Sequence, residues 1–321
     1  MLIRSNYLIP LLSQAEFAHL RFECRMGEAI DIDVATFLRV RRRLRTAAQE
    51  VLNGRTELFK RLFEPQLSAD PVALKRYQKG APAFAIIPSS ISYGKYNAGE
   101  LFSFEVRLFG NIALQAAGLV EAFVALGEDG LRLDAGKYTL EQVWASDAAE
   151  NAIKVWHRSG GAALHNIPRL DLGWWLEGQP QTCFELELKF NTPARLLTRT
   201  RPMFNPSMEQ LFPFVLRRVT AMLYIHCGIE VDPAQLELVP EIKGWRCAQN
   251  KLYWYDWRQL RSDAGQSTPL GGVCGSLRMQ GEVAHPVLSL LQLGSLFNLG
   301  KNAAYGAGNY SLVCFDAYEQ A

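Results

Sequence analysis

The chain has no Cys-x-x-Cys pair, no low-complexity tract, and no apolar run that reaches the ~18 residues a membrane-spanning helix needs. Its six cysteines (Cys24, Cys183, Cys227, Cys247, Cys274, Cys314) are scattered, which argues against a zinc ribbon or a redox motif and fits a reduced compartment. No signal-peptide pattern is visible, so a cytoplasmic protein with no membrane partner is expected. Net charge is small: 34 basic residues against 32 acidic ones leave +2. The whole molecule is therefore not a polycation, and any affinity for a polyanion must come from local patches. Neither carboxylates nor His/Cys sets show ligand spacing, so no metal and no other cofactor is expected. What is present is 321 residues, 49% of them hydrophobic, enough for two separate cores.

Apolar periodicity gives the order of elements. Ala18–Ile30 alternates at Leu20, Phe22 and Cys24 as a strand does. Thr36–Leu52 carries Phe37, Val40, Leu44, Ala48 and Val51 at helical spacing. Ala83–Ser89 and Glu100–Phe109 read as strands, Asn111–Leu126 as a helix and Lys137–Trp144 as a strand. After an irregular stretch over 146–180 the order repeats. Thr182–Phe190 is a strand, and a helix opens at Ser207 with capping-box spacing to Gln210 and ends at Gly228. Lys251–Trp257 and Val273–Val283 are strand candidates, His285–Leu296 a helix with Pro286 in its first turn, and Asn309–Phe315 a strand. Strand, helix, strand, strand, helix, strand is the split βαβ, ferredoxin-like pattern. The expected fold is α+β: two tandem ferredoxin-like (RRM-like) domains, 1–175 with a basic helix and 176–321 with a glycine-rich loop.

Two stretches suggest chemistry. From Arg39 to Arg61 there are eight basic residues against two acidic ones, Glu50 and Glu57. Arg39, Arg42 and Arg43 share a face, with Arg41 and Arg45 one turn apart between them. Such a helix face is often merely solvated. Here the cations from Arg39 to Arg45 lack acidic neighbours, and a solubilising surface normally mixes both signs. Arginine also forks onto phosphate, so RNA or another polyanion is the expected partner. The second stretch is Leu299–Tyr310, with Gly300, Gly306 and Gly308 around Lys301 and Tyr305. As a glycine-rich turn it joins the last helix to the last strand. It is not a P-loop, because Asn302 replaces the required Ser or Thr and the loop precedes a strand. A Rossmann fingerprint fails on the same topology.

Leu299–Tyr310 resembles the glycine-rich loop of the CRISPR-associated RAMP endoribonucleases that process precursor CRISPR RNA, through Gly300, Lys301, Tyr305, Gly306 and Gly308. Other segments are similar to the same family: Tyr96–Glu100, the strand ending at Gly110, the helix Gln115–Leu126, Thr192-Pro193-Ala194-Arg195 after a strand, the pair Arg217-Arg218, Asp256-Trp257, and Leu270-Gly271-Gly272 to Gly275. The segment between Trp257 and Leu270 departs from the family's Arg-x-Ser-x-Arg-Gln run: it reads Gln259, Arg261, Asp263 and Ala264, with Arg258 and Arg261 keeping basic charge nearby.

The resemblance implies metal-independent cleavage of CRISPR repeat RNA, a stem-loop, by attack of a ribose 2′-OH, leaving 2′,3′-cyclic phosphate and 5′-OH ends, with the guide RNA retained. It also implies other CRISPR effector subunits as partners. The alternative is a non-catalytic RNA-binding subunit of an effector complex. Histidine is the obvious acid–base residue. Of His19, His157, His165, His226 and His285, none lies on the first helix, and His19 is nearest in sequence. The expected catalytic residues are Arg39, Arg42 and His19. The expected RNA contacts are Arg41, Arg43, Arg45, Arg217, Arg218, Arg258, Gly300, Lys301, Asn302, Tyr305, Gly306 and Gly308, with Tyr305 either stacking on a base or packing beneath the loop. No metal ligand is expected.

Overall fold

The computed structural model describes residues 8–67, 80–162, 164–198, 201–231, 242, 244–256, 271–283 and 285–315. The chain divides into two compact units. The N-terminal unit comprises Leu12–Leu172 and Ala221–Ile229. The C-terminal unit comprises Gly173–Thr220 and Glu230–Ala321, with the segment ahead of Leu12.

In the N-terminal unit the elements are β1 (Glu16–Met26), α1 (Val34–Arg39), α2 (Arg41–Val51), α3 (Thr56–Phe63), β2 (Phe84–Ile87), β3 (Leu101–Phe109), α4 (Ile112–Asp129), β4 (Tyr138–Ser146) and β5 (Ala152–His157). The sheet order is β2-β3-β1-β4-β5, antiparallel at each pairing. Its first four strands have the ferredoxin-like order, in which the first strand lies between the third and fourth. Strand β1 alternates strictly over its second half: Leu20, Phe22, Cys24 and Met26 are buried, and His19, Arg21, Glu23 and Arg25 are not. The buried side meets the helices. Phe22 stacks on Phe104 of β3 at 5.1 Å and tilts against Phe123 of α4 at 4.7 Å, and Phe37 of α1 lies 5.5 Å from Phe104. Aromatic pairs of this kind add ~0.5–1.5 kcal/mol beyond the area they bury.

Three local expectations are corrected. The helix expected over Thr36–Leu52 is two helices that meet at Val40, whose N–H bonds the Phe37 carbonyl. Asp33 begins α1 with a capping box to Thr36, three residues earlier than the apolar spacing suggests. The stretch 146–180 is largely regular. β5 extends the sheet beyond β4, Gly161–Ala162 pairs with β5, and Leu170–Asp171 pairs with β1. Short strands and a six-residue helix, Leu172–Glu177, carry too few periods to stand out from the glycines and prolines around them.

The C-terminal unit repeats the order with β6 (Cys183–Ala194), α5 (Met208–Cys227, which from Ala221 on belongs to the N-terminal unit), β7 (Arg246–Asn250), β8 (Tyr253–Asp256), β9 (Gly271–Val283), α6 (His285–Phe297) and β10 (Tyr310–Phe315). The sheet runs β7-β9-β6-β10, and β8 also pairs with β9. Leu186, Leu188 and Phe190 of β6 point into the core, and Tyr310 donates its hydroxyl to the Leu291 carbonyl at 2.6 Å. The Gln210 side chain accepts from the Ser207 N–H at 3.0 Å, one arm of the expected capping box.

An arginine finishes the second long helix of each unit. In the N-terminal unit Arg43 of α2 donates to the carbonyls of Asp129 and Gly130, the latter at 2.7 Å. In the C-terminal unit Arg218 of α5 donates to the Phe297 carbonyl through Nε at 3.3 Å and Nη2 at 2.8 Å. Both supply donors to carbonyls that a helix end leaves without partners. Hydrogen bonds from a charged donor are worth ~1.5–3 kcal/mol. Arg43→Ala is therefore expected to lower unfolding stability by about 2 kcal/mol in urea titration, while Arg42→Ala, one position away on an exposed side chain, leaves the midpoint unchanged.

Candidate nucleic-acid interface

The glycine-rich loop is built from inside. Asn298, fully buried, donates from Nδ2 to the Ala303 carbonyl at 2.9 Å and accepts from Asn309 Nδ2 at 3.0 Å. Thr192, at the end of β6, donates its hydroxyl to the Gly306 carbonyl at 2.6 Å and accepts from the Asn309 N–H at 2.9 Å. Backbone bonds then run from Gly308 to Pro193 at 3.0 Å and from Lys301 to Arg195 at 3.1 Å. The Thr192–Arg195 segment and the loop, more than 100 residues apart in the chain, are thus one construction.

Two glycines are required by this closure. Gly308 has φ +64°, and a methyl group there would collide with the Leu299 carbonyl. Gly300 has φ +88°, and a Cβ would sit 2.7 Å from the Arg195 carbonyl oxygen. The residues from Ala303 to Tyr310 are all buried, Tyr305 at 4% exposure. Of the two roles open to Tyr305, the ring takes the packing one: it lies beneath the loop and offers no face for stacking. Gly306 and Gly308 are likewise internal. The outward part is Gly300–Asn302, with the Lys301 ammonium exposed and making no hydrogen bond or ion pair with any described residue.

The basic helices distribute their arginines unequally. Arg39, Arg41, Arg42 and Arg45 are exposed, and Arg43 is half-buried in its capping role. Arg45 pairs with Glu64. Arg39 adds to the charges that hold the Asp33 carboxyl below its usual range, against the opposing effect of burial and alongside the Thr36 hydrogen bonds and Arg132. Arg42 meets no acidic partner among the described residues. In the C-terminal unit Arg217 is exposed, with its guanidinium 4.9 Å from the Phe214 ring centre. Arg218 is committed to the Phe297 carbonyl, and burial pulls its guanidinium down to about 10. Arg43 and Arg218, both expected among the RNA contacts, thus each hold a helix end in this fold through Nε and Nη2. Arg258 and the 259–264 positions lie outside the described residues.

His19 is not brought to the arginine helices. It stands on the face of β1 opposite Phe22, and the helices pack on the Phe22 side. On its own face it is 2.9 Å from Glu105 Oε2 and sits across from Arg107 in the strand register. The Glu105 carboxyl is held below its ordinary range, first by the His19 hydrogen bond and further by Arg107 and Arg21, against burial. Burial draws the Arg107 guanidinium down to about 10. Trp144 of β4 lies between Lys154 at 4.9 Å and Arg21 at 5.7 Å on the same face. Sequence reading missed Glu105 and Arg107. The signal was present in the alternation of β3, which puts Glu105 and Arg107 in phase with His19 and Arg21 once the register is known. His157 on β5 is 3.4 Å from the Ser159 hydroxyl, and His226 Nε2 donates to the Ala81 carbonyl at 2.8 Å. Among the described residues no group of three His, Cys, Asp or Glu side chains is placed to hold a metal ion.

A family model for the CRISPR-associated endoribonuclease Cas6 matches residues 188–310, the span from β6 to the start of β10 that contains both halves of the loop construction. Within that span the chain carries the sequence pattern of the CRISPR-associated endoribonuclease Cas6 family. A second model, described as an N-terminal domain, matches residues 36–167. Among solved structures, a Cas6 product complex superposes with TM-score 0.54 at 15% identity over 92% of this chain and 100% of that one. Thermus thermophilus Cas6 superposes with TM-score 0.51 at 14% identity over 93% and 99%. A partial Cas6-RT-Cas1–Cas2 complex gives 0.55 at 14% identity, over 94% of this chain and 46% of that one. At these identities the likeness is one of fold. No curated protein matches this chain in sequence. No helix among its described residues is long and apolar enough to cross a membrane.

Two outcomes are expected. Gly308→Ala disrupts the loop and shortens amide-exchange protection at Leu299 and Gly308, whereas Gly99→Ala, with positive φ and no atom within 4 Å of the added methyl, costs only ~1–2 kcal/mol. Because the folded-state Glu105 carboxyl is depressed, its stabilisation is present above ~pH 4.3 and lost as pH falls through the folded value. Glu105→Gln should therefore be less stable than the parent at pH 7 by under ~1 kcal/mol, since the pair is partly exposed, and the two should converge near pH 3.

Proposed function

We propose that this chain cuts CRISPR repeat RNA within precursor transcripts and keeps the mature guide. The ribose 2′-oxygen attacks the adjacent phosphorus, the bond from phosphorus to O5′ breaks, and the products carry a 2′,3′-cyclic phosphate and a 5′-OH. The observation that carries this reading is the glycine-rich loop: a segment matched by the Cas6 model is closed on itself by Thr192, Asn298 and Asn309, and leaves Lys301 outward and unpaired among the described residues. A fixed cation on a preorganised loop holds a phosphate without reorganising.

The exposed arginines supply the rest. Arg39 and Arg42 stabilise the charge on the phosphorane, and Arg41 and Arg45 follow the phosphates of an RNA stem, which is recognised by shape. The Arg45–Glu64 pair is solvent-exposed and so yields at little cost to a phosphate. Arginine remains protonated and does not act as a base. His19, oriented by Glu105, is the acid–base candidate on the sheet face, so it and the arginines serve different sites. Asn302 and Gly300 approach the RNA backbone beside Lys301, and Arg217 reaches the strand from α5. The site is soluble and cytoplasmic in this reading, with other CRISPR effector subunits as further partners.

A second reading is favoured by one observation: α1 and α2 bear no histidine, and His19 faces the other way. The chain would then be an RNA-binding subunit that does not cut.

The test uses labelled repeat RNA in EDTA beside the same RNA with a 2′-deoxy sugar at the mapped cut. Cleavage of the ribo substrate alone is expected. Arg42→Ala should lower the single-turnover rate by about 10²-fold, as loss of a transition-state donor does, with binding little changed. Lys301→Ala should weaken binding and reduce the salt slope of log K by about 1. A rate lost in His19→Ala and kept in Arg42→Ala would move the chemistry to the sheet face. Binding without cleavage of either RNA would establish the second reading, and no binding would overturn both.

A further inference from the structure

In the C-terminal unit Leu188 and Leu277 bury one face of the sheet, and the other face carries Lys251, Tyr253 and Tyr255 in phase along its edge. The register there is uniform. Tyr253 lies opposite Cys274 and Tyr255 opposite Gly272, and the Lys251 N–H, just ahead of β8, bonds the Ser276 carbonyl at 2.8 Å. All three side chains therefore leave on the same side. We propose that this row is a platform for unpaired RNA, with bases stacked on Tyr253 and Tyr255 and a phosphate on Lys251. The proposal rests on the RNA reading above and extends it to the nucleotides beyond the stem.

The rings are presented to solvent. Tyr253 is 55% exposed and Tyr255 43%, and neither hydroxyl bonds a described residue. The two phenols lie near one another: burial, then Cys274, then Tyr255 push the Tyr253 phenol up. Their neighbours across the ladder, Gly272 and Cys274, are small, so no β9 side chain opposite them covers the rings. Between them Trp254 points to the other face and anchors the strand. Its ring lies 4.8 Å from that of Phe204, and a Cβ on Gly271 would come within 2.6 Å of the indole.

The charge suits a nucleic-acid backbone. Lys251 and Lys189 of β6 are both exposed, flank Ser276 in one row, and make no ion pair with a described residue. The carboxylates of this face, Glu185 and Glu187, lie farther along β6 beside Arg278, which pairs with Glu185. A flat strand with rings next to cations fits bases and phosphates, and stacking of this kind is tolerant of sequence. The platform is also tied to the glycine-rich loop. A Cβ on Gly272 would meet the backbone of Pro193 and Ala194 at 2.8 Å, and the Pro193 and Arg195 carbonyls accept from Gly308 and Lys301 of the loop. A strand with a phosphate on Lys301 thus continues onto the tyrosines.

Fluorescence anisotropy of the full chain with labelled repeat RNA tests this, with a 2′-deoxy sugar at the mapped cut so that the RNA stays whole. Three forms are compared: the whole repeat, its stem-loop alone, and the repeat made abasic at each unpaired position in turn. Tyr253→Ala and Tyr255→Ala should each weaken the whole repeat about tenfold and leave the stem-loop unchanged, while Tyr253→Phe, which keeps the ring, binds as the parent does. Lys251→Ala should reduce the salt slope of log K by about 0.7. At one or two unpaired positions the abasic sugar should weaken the parent about tenfold and the alanine variant no further. The abasic scan of the parent needs no variant to fold, and insensitivity at every unpaired position would overturn the proposal. Whole-repeat binding equal in the parent and both alanine variants would overturn it too, leaving the RNA reading intact and giving the tyrosines to a protein partner. An equal loss on the stem-loop alone would also overturn it. A parent that binds no RNA would remove both readings.

Discussion

The alternation of β1 governs the N-terminal unit. Leu20, Phe22, Cys24 and Met26 go to one side, where the rings of Phe104, Phe123 and Phe37 close around Phe22. Because a strand has a period of two, His19, Arg21, Glu23 and Arg25 must then go to the other. Nothing local to His19 decides where it points. A one-residue slip would place it against the helices and bury a charged pair in the aromatic core, which the cost of desolvating charge forbids. The separation of His19 from Arg39 and Arg42 is thus a consequence of hydrophobic packing several residues away.

A similar economy governs arginine. The basic helix looks uniform in sequence, yet its guanidinium groups do different jobs. Arg43 closes the end of α4, Arg45 pairs with Glu64, and Arg39, Arg41 and Arg42 stay at the surface. The C-terminal unit uses Arg218 on the end of α6 in the same way. A fork of donors on a long stem reaches helix-end carbonyls that neither a glycine turn nor water in a crowded interior would satisfy. Basic residues in this fold are therefore divided between those that hold helix ends or pair with a carboxylate and those that stay at the surface.

The order of elements was legible because each long helix and long strand shows its own period. Phe37, Leu44 and Ala48 mark helix, and Leu186, Leu188 and Phe190 mark strand. Val40 was read as the middle of one helix because its apolar side chain fits either geometry; the backbone tightens there without any glycine or proline to announce it. The strands between 146 and 171 were illegible for another reason: two- to six-residue strands gain their stability from pairing partners far along the chain. For the site, the glycines and Lys301 were visible. Thr192 showed only as part of a family-like segment, and Asn298 and Asn309, which hold the loop with it, were not visible, since a buried polar side chain has no periodic signature.

The sequence by itself determined two βαββαβ repeats, a basic first helix and a glycine-rich loop before the last strand, because each of these is a property of neighbours in the chain. Tertiary structure alone decided which side chains serve it. It turned Tyr305 inward, under a loop held by the end of β6 and by Asn298. It spent Arg43 and Arg218 on helix carbonyls, left Lys301 and Arg42 outward, and set His19 beside Glu105 on the far face of the sheet. Each of these outcomes depends on a partner that lies 80 or more residues away in three of the four cases where a hydrogen bond fixes it, at Arg43, Arg195–Lys301 and His19, and on packing that no single stretch of the chain contains.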